Sequence, residues 1–387
     1  MYLEQIDIMK AQPLLQKCGL SVPDGVNYTA GLFDDNGLLI ACGSLKYLEF
    51  RHSVMIQGIA VDPDRQGEDL LGKLMTHLVE IASEKYYLEL FLFTKPEKVV
   101  QFQNIGFNLV ASARPYAALM EWGGGKLGID WYLDRRRSIA KRARSDYYHR
   151  MTGGKSYGPE FDPDADKPKI ARLLTKVPYP EKVSALVMNC NPFTLGHRWL
   201  IEQAAAESDL VYVFVVDEDA SLFDSAERYV MVKNGVADLK NVTVMKGGIY
   251  VISSLTFPSY FTKEENLAKA HTAIDAEIFG RHIAPAMEIK RRYIGTEPIS
   301  AVTAVYKETL KERLPRMGVE VVELPRLELD GQVVSASRVR ALLGESREPL
   351  KNPTPELIAE LAKLVPETTL DYLIEEVPKY DNRPEEY

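Results

Sequence analysis

Apolar positions in the second half of the chain fall into short blocks separated by stretches of helical periodicity. The blocks Val183–Met188, Leu210–Val216, Val242–Lys246, Arg292–Gly295 and Val319–Leu324 read as strands. Between them, 196–206, 226–239, 264–279 and 303–313 carry apolar residues at helical spacing, as Leu200, Ile201, Ala204 and Ala205 do. Such alternation predicts a doubly wound parallel sheet with helices on both faces. Ligands of such sheets lie at the carboxyl ends of the strands, near a topological switch point. The first half is patterned differently. Residues 27–50 predict two or three short strands, with turns at Asp34–Gly37 and Gly43-Ser44. A strand at Ile56–Val61 follows, then a helix with Leu70, Leu71, Leu74, Leu78 and Ile81 on one side, and a strand at Tyr87–Phe93. A short helix over Lys98–Gln103 and two more strands lead to Trp122 and the glycines 123–125. The stretch 126–181 begins as a basic helix, Ile129–Arg150, and passes into a Gly-, Pro- and Asp-rich segment expected to be a flexible linker. The pattern therefore divides the chain into a mixed α/β domain over 1–125, a basic helix and linker over 126–181, and a Rossmann-like domain over 182–387.

Composition narrows the possibilities. The 387 residues exceed one ordinary core, in keeping with two domains. Hydrophobic residues at 46% and charged residues at 26% are the balance of a globular protein. No apolar run reaches the ~18–20 residues of a membrane span, and the N-terminus has no apolar signal core. Cys18, Cys42 and Cys190 are too few and too scattered for a disulfide framework or a zinc site. A cytoplasmic protein without membrane attachment is expected. The net charge of −8 argues against a nucleic-acid partner, and the basic run around Arg135–Arg144 reads as a solvated helix face.

The richest local chemistry lies where Val183–Met188 hands over to the next helix, in Asn191-Pro192-Phe193-Thr194-Leu195-Gly196-His197. Thr194 suits an N-cap, and Gly196 suits close backbone approach. His197 then projects from the first helical turn. Free amides, the helix dipole and an imidazole donor together make an anion site, with phosphates as natural occupants. No P-loop is present. The remaining histidines, among them His77, His149, His271 and His282, have no chemical neighbours in sequence.

Thr194-Leu195-Gly196-His197 resembles the Thr/His-x-Gly-His signature of the nucleotidylyltransferase superfamily. Val334-Ser335-Ala336-Ser337-Arg338-Val339-Arg340 resembles its second element, in which serine hydroxyls and an arginine hold β and γ phosphates. Ile294-Gly295-Thr296-Glu297 stands at a strand end where that fold contacts the nucleoside. Longer stretches resemble the citrate lyase ligase family: MNCNPFTLGHRWLIEQAAAESD, FVVDEDASLF, TFPSYFTKE, HTAIDAEIFGRHIAPAM, YIGTEPISAVTAVY and VSASRVRALL. The resemblance implies an ATP-dependent acid–thiol ligase. Acetate attacks the α-phosphate to give acetyl-AMP and diphosphate. The acetyl group then passes to the thiol of the coenzyme-A-like prosthetic group on the acyl carrier subunit of citrate lyase, AMP leaves, and the lyase is activated. It implies His197, Arg340 and Thr194 as catalytic residues. Asn191, Pro192, Phe193, Gly196, Gly295, Thr296, Glu297, Ser335 and Ser337 would bind the nucleotide. Mg²⁺ would bridge phosphate oxygens with few protein ligands. Phe257, Pro258, Tyr260 and Lys263 are candidates for a wall near the acyl group.

The family carries an acetyltransferase-like (GNAT) domain in front, and Gln57–Leu74 and Lys98–Phe107 resemble motifs of that fold. The phosphate-binding loop departs from the GNAT pattern: Asp69 and Leu71 stand where small residues are expected. A carboxylate there repels a phosphate, which counts against turnover of free acetyl-CoA. Two alternative activities remain open on sequence, a nucleotidylyltransferase making a dinucleotide cofactor and an acetyl-CoA-dependent N-acetyltransferase.

Overall fold

A computed structural model of the chain describes residues 1–48, 53–65, 69–123, 128–152, 179–217, 221–252, 264–296 and 301–381. Its contacts divide it into two units, Met1–Asp134 with Ser254–Ile278, and Arg135–Ser253 with Phe279–Tyr387. Most of the expected linker, 153–178, lies outside the described residues, as do Gln66–Glu68, Phe257, Pro258, Tyr260, Lys263 and Glu297.

The first unit is mixed α/β. Its strands are β1 (Tyr2–Gln5), β2 (Tyr28–Phe33), β3 (Leu39–Leu48), β4 (Ser53–Val61), β5 (Glu89–Thr94), β6 (Asn108–Ala113) and β7 (Ala117–Trp122). They form one sheet in the order β1-β2-β3-β4-β5-β7-β6, antiparallel except for the β4–β5 pair. The helices are α1 (Gln12–Lys17), α2 (Leu70–Glu84) and α3 (Val99–Gln103). Leu70, Leu74 and Leu78 of α2 are buried in one core cluster with Ile40, Leu45, Ile56 and Leu90, as the helical period predicts. The turn expected at Gly43-Ser44 is absent. β3 runs straight through it, with only a bulge against β4 between Cys42 and Ser44. Gly43 serves packing instead: a Cβ there would lie 2.9 Å from Leu78 of α2.

β4 and β5 pair only from Ser53↔Glu89 to Ile56↔Leu92 and then part, while β4 continues to Val61. A cavity of about 1150 Å³ opens between them, with Ile56–Val61 on one wall and Phe93–Lys95 on another. Asp69, at the start of α2, is left-handed (φ 54°), and its carboxylate folds back over Gly72.

Helix α4 (Gly128–Met151) contains the boundary between the units. Its basic residues are not all solvated as expected. Arg136 and Arg144 are buried; Arg136 donates to the carbonyls of Lys246 and Gly247, and Arg144 pairs with Glu288. An extended guanidinium can reach the backbone carbonyls at a strand end, which a count of charges does not reveal.

The second unit holds β8 (Val183–Met188), β9 (Leu210–Val215), β10 (Val242–Lys246), β11 (Arg291–Gly295) and β12 (Glu320–Leu324). All pairs are parallel, in the order β10-β9-β8-β11-β12. The chain therefore starts at the central strand, winds outward one way, and returns to β11 on the other side. The switch point lies between β8 and β11. Helices α5 (Leu195–Ala206) and α6 (Ser225–Gly235) connect the first strands, and α7 (Glu264–Ile278), α8 (Ala284–Met287), α9 (Ala301–Arg313) and α10 (Ala336–Leu342) follow in the chain. Of these, α7 belongs to the first unit and packs on β6 and β7. Leu186 and Met188 of β8 and Val211, Val213 and Val215 of β9 form the core with Ile201 and Ala204 of α5. No helix among the described residues is long and apolar enough to cross a membrane.

Candidate active site

The turn after β8 is tightly determined. Cys190 adopts a left-handed backbone (φ 54°) and the Asn191–Pro192 peptide is cis. Asn191 is 7% exposed, and its Oδ1 accepts from the backbone N–H of Phe223 at 3.1 Å. Arg228, fully buried on α6, donates to the carbonyls of Asn189, Val216 and Phe223. One guanidinium thus ties together the exits of β8 and β9 and satisfies carbonyls that the strands leave unpaired. Burial raises the Cys190 thiol far above the ordinary range, so this cysteine is no nucleophile.

Thr194 caps α5. Its Oγ1 accepts from the His197 N–H at 3.4 Å, and His197 Nδ1 accepts from the Thr194 N–H at 3.1 Å. This reciprocal cap decides the histidine tautomer. An Nδ1 that accepts from an amide carries no proton, so the neutral ring bears its proton on Nε2. Burial, and then the positive charge of Arg326, push the His197 pKa down to about 4. At neutral pH His197 is therefore an uncharged Nε2–H donor. Phe193, completely buried, stacks on it with ring centroids 6.0 Å apart.

Gly196 was expected to let the backbone approach a ligand. What it admits is another part of the chain: a Cβ there would stand 2.6 Å from the carbonyl oxygen of Val334. That contact brings the two motifs together. Ser335 caps α10 by accepting from the Arg338 N–H at 3.4 Å. Arg340 Nη1 donates to the Asn191 carbonyl at 2.8 Å, Nη2 to Ser337 Oγ at 3.3 Å, and Nε to Glu345 at 3.2 Å. Ser337 is exposed. Thr194, Gly196, His197, Asn191, Ser335, Ser337 and Arg340 thus belong to one cluster at the carboxyl end of β8.

Other expected residues stand differently. Phe193 is completely buried, and Asn191 commits its Oδ1 to the Phe223 N–H. The free amides expected at the start of α5 are mostly taken: Leu195 N–H donates to Leu364 O at 2.9 Å, and His197 N–H goes to Thr194. The start of α5 therefore offers the dipole of the helix and its side chains rather than an amide nest. Gly295 and Thr296 end β11 across the switch point, and the Thr296 N–H donates to Leu324 O at 2.9 Å. Sequence reasoning missed Arg228, Arg326 and the Arg347–Glu227 pair, because each acts on a distant carbonyl or carboxylate that local patterning cannot pair with it. No group of three or more His, Cys, Asp or Glu side chains that could hold a metal occurs among the described residues.

Residues 183–373 match the sequence profile of the citrate lyase ligase C-terminal domain. The chain is 36% identical over 342 residues to the [citrate [pro-3S]-lyase] ligase of Klebsiella pneumoniae, covering 87% of this chain and 84% of that one. To the protein of the same name from Haemophilus influenzae it is 31% identical over 376 residues, 96% of each. Among solved structures, an IAA acetyltransferase from Bacillus cereus aligns with 31% of this chain and 97% of its own, at 19% identity and a TM-score of 0.27.

Proposed function

The chain belongs to the citrate lyase ligase family, and from that premise we propose how its residues carry out the reaction. It is an enzyme, a ligase that acetylates the acyl carrier of citrate lyase. In the first half-reaction an acetate oxygen attacks the α-phosphorus of ATP. The P–O bond to the β-phosphate breaks, and acetyl-AMP and diphosphate form. In the second, the thiol of a coenzyme-A-like group on the carrier loses its proton to solvent and attacks the acetyl carbonyl, the C–O bond to the phosphate breaks, and AMP departs with the electron pair. The reaction belongs in the cytoplasm, where ATP is supplied.

The observation that carries this reading is the reciprocal cap of Thr194 and His197. It holds a neutral imidazole with its proton on Nε2 at the head of α5, suited to donate to charge that grows on a transferred phosphoryl group. Arg340 supports the same place. Three of its five N–H donors hold Asn191, Ser337 and Glu345, which fixes the fork and leaves donors for phosphate oxygens. Ser335 and Ser337 flank it, and Gly295 and Thr296 face the nucleoside from across the switch point. An Mg²⁺ ion bound with the nucleotide would need few protein ligands and would help neutralise phosphate charge. No step of the scheme depends on a protein-bound metal.

Acetate-dependent exchange of labelled diphosphate into ATP tests the reading. Exchange that requires acetate is expected. Exchange in its absence, or none under any acid, would overturn it. A His197→Ala variant should lose a factor of roughly 10²–10³ in this exchange, the scale for one transition-state donor, and much less in ATP binding.

A further inference from the structure

The cavity in the first unit, where β4 and β5 part beyond Ile56↔Leu92, has features that the reaction scheme above does not use. Gln57, the first residue of β4 past the pairing, lines it. Gln57 is 3% exposed, and its Oε1 has no hydrogen-bond partner. A buried acceptor without a donor is costly, and an N–H group entering the cavity would remove that cost. Further along the same wall, the Asp62 N–H donates to Ile40 O, on the β3 side. Strand alternation therefore turns the Val61 amide the other way, toward the cavity, where its carbonyl accepts from the Cys18 thiol at 3.4 Å. On that side β5 gives Val61 no partner, because it pairs with β4 no further than Ile56. Leu70, Phe93 and Phe102 add apolar surface to the walls. We propose that this cleft is a binding site for a pantetheine-type arm, a slender chain of secondary amides ending in a thiol, and that its occupant is the prosthetic arm of the acyl carrier.

The chemistry of the walls selects that class of ligand. A secondary amide brings an N–H for Gln57 Oε1 and a carbonyl for the Val61 N–H. The methylene groups between successive amides suit the apolar side chains. A polypeptide brings the same amides, but its own side chains need width where Leu70, Phe93 and Phe102 stand. Phosphates are poorly served at the head of α2. Leu70 and Leu71 of that helix line the cavity, and Asp69 beside them lays its carboxylate over Gly72. The charge offsets the positive end of the helix dipole and repels a diphosphate. Free coenzyme A therefore gains little from its nucleotide end. An arm tethered to a carrier already on the enzyme arrives at an effective concentration on the order of millimolar and needs no anchor of that kind. The inference rests on the ligase reading, which brings such an arm to this enzyme, and adds where the arm is held.

Cys18 reports on occupancy without turnover. It lines the cavity and is partly exposed, whereas Cys42 and Cys190 are each 1% exposed. Alkylation of Cys18 by N-ethylmaleimide is timed in the full chain, with Cys18→Ser identifying the label. The probes are S-methyl pantetheine, S-methyl coenzyme A, and the carrier with and without its S-methylated arm. The armed carrier should slow alkylation at concentrations where the bare carrier does not. S-methyl pantetheine should do so at higher concentration, and S-methyl coenzyme A should do no better. Gln57→Leu and Gln57→Met remove the acceptor and should raise the half-protecting concentration of S-methyl pantetheine roughly three- to tenfold. Asp69→Gly, at a left-handed position that suits glycine, should let S-methyl coenzyme A overtake S-methyl pantetheine. Equal protection by both carriers overturns the proposal, since the polypeptide then covers Cys18. So does unchanged protection in both Gln57 variants, or a wild type that prefers S-methyl coenzyme A by tenfold or more. Protection without acetate-dependent exchange would count against the ligase reading alone, and exchange without protection against this inference alone.

Discussion

At the scale of single residues, the site depends on a few atoms whose neighbours leave no room. Gly196 is the tightest. A methyl group there meets a backbone carbonyl, which cannot move aside as a side chain would. Gly196→Ala should destabilise the second unit by about 1–3 kcal/mol, measurable by denaturant unfolding. His197 gives a pH signature with a definite sign. Its pKa lies near 4 when folded and near 6.5 when unfolded, so the unfolded chain binds more protons between these values. Its contribution to stability is complete above about pH 6.5 and is lost as pH falls toward about 4. Between pH 7 and pH 5 the wild type should therefore lose more unfolding free energy than His197→Asn; equal losses would refute the assignment. That Thr194, Gly196, His197 and Arg340 lie together was legible in the sequence, because two short motifs name them. The role of Gly196 was not, since its neighbour Val334 is remote in the chain.

At the scale of elements, α2 followed from helical periodicity because it presents one apolar face to a core, and β8 and β9 followed from unbroken apolar runs because both of their faces are buried. The exceptions are instructive. β3 continues through Gly43-Ser44 because helix packing, rather than turn chemistry, requires the glycine. Buried arginines defeat pattern reading because a charged letter hides an apolar address. The pair Arg347–Glu227 shows the energetic consequence. The Glu227 side chain is 1% exposed, and burial raises its carboxyl above the ordinary range. Two guanidinium contacts at 2.8 and 3.0 Å hold it. Arg347→Ala leaves that carboxyl buried without its cation and should cost about 3–5 kcal/mol in thermal or denaturant unfolding. A loss within about 0.5 kcal/mol, the scatter of ordinary surface substitutions, would show that the pair is dispensable.

At the scale of the molecule, the doubly wound sheet and its switch point were foreseen from the alternation of strands and helices, and they position the site. The partition of the chain was less legible. Composition marks a break near residue 125, yet α7, deep in the second half, packs against β6 and β7 of the first unit. Its apolar face looks like that of any connecting helix, and nothing in its sequence says which sheet it covers. A truncation beginning at residue 135 strips α7 of that sheet and should aggregate or expose α7 to protease, whereas the full chain should not. The same feature sets a timetable for synthesis. A ribosome completes β7 and must add roughly 155 residues before the last of α7 is made, a delay of roughly 8–30 s at about 5–20 residues per second. Through that interval the nascent front sheet has an uncovered flank, which a chaperone would have reason to hold. Ribosome-stalled chains ending near residue 150 should be digested readily in the first unit, and chains ending beyond residue 320 should resist.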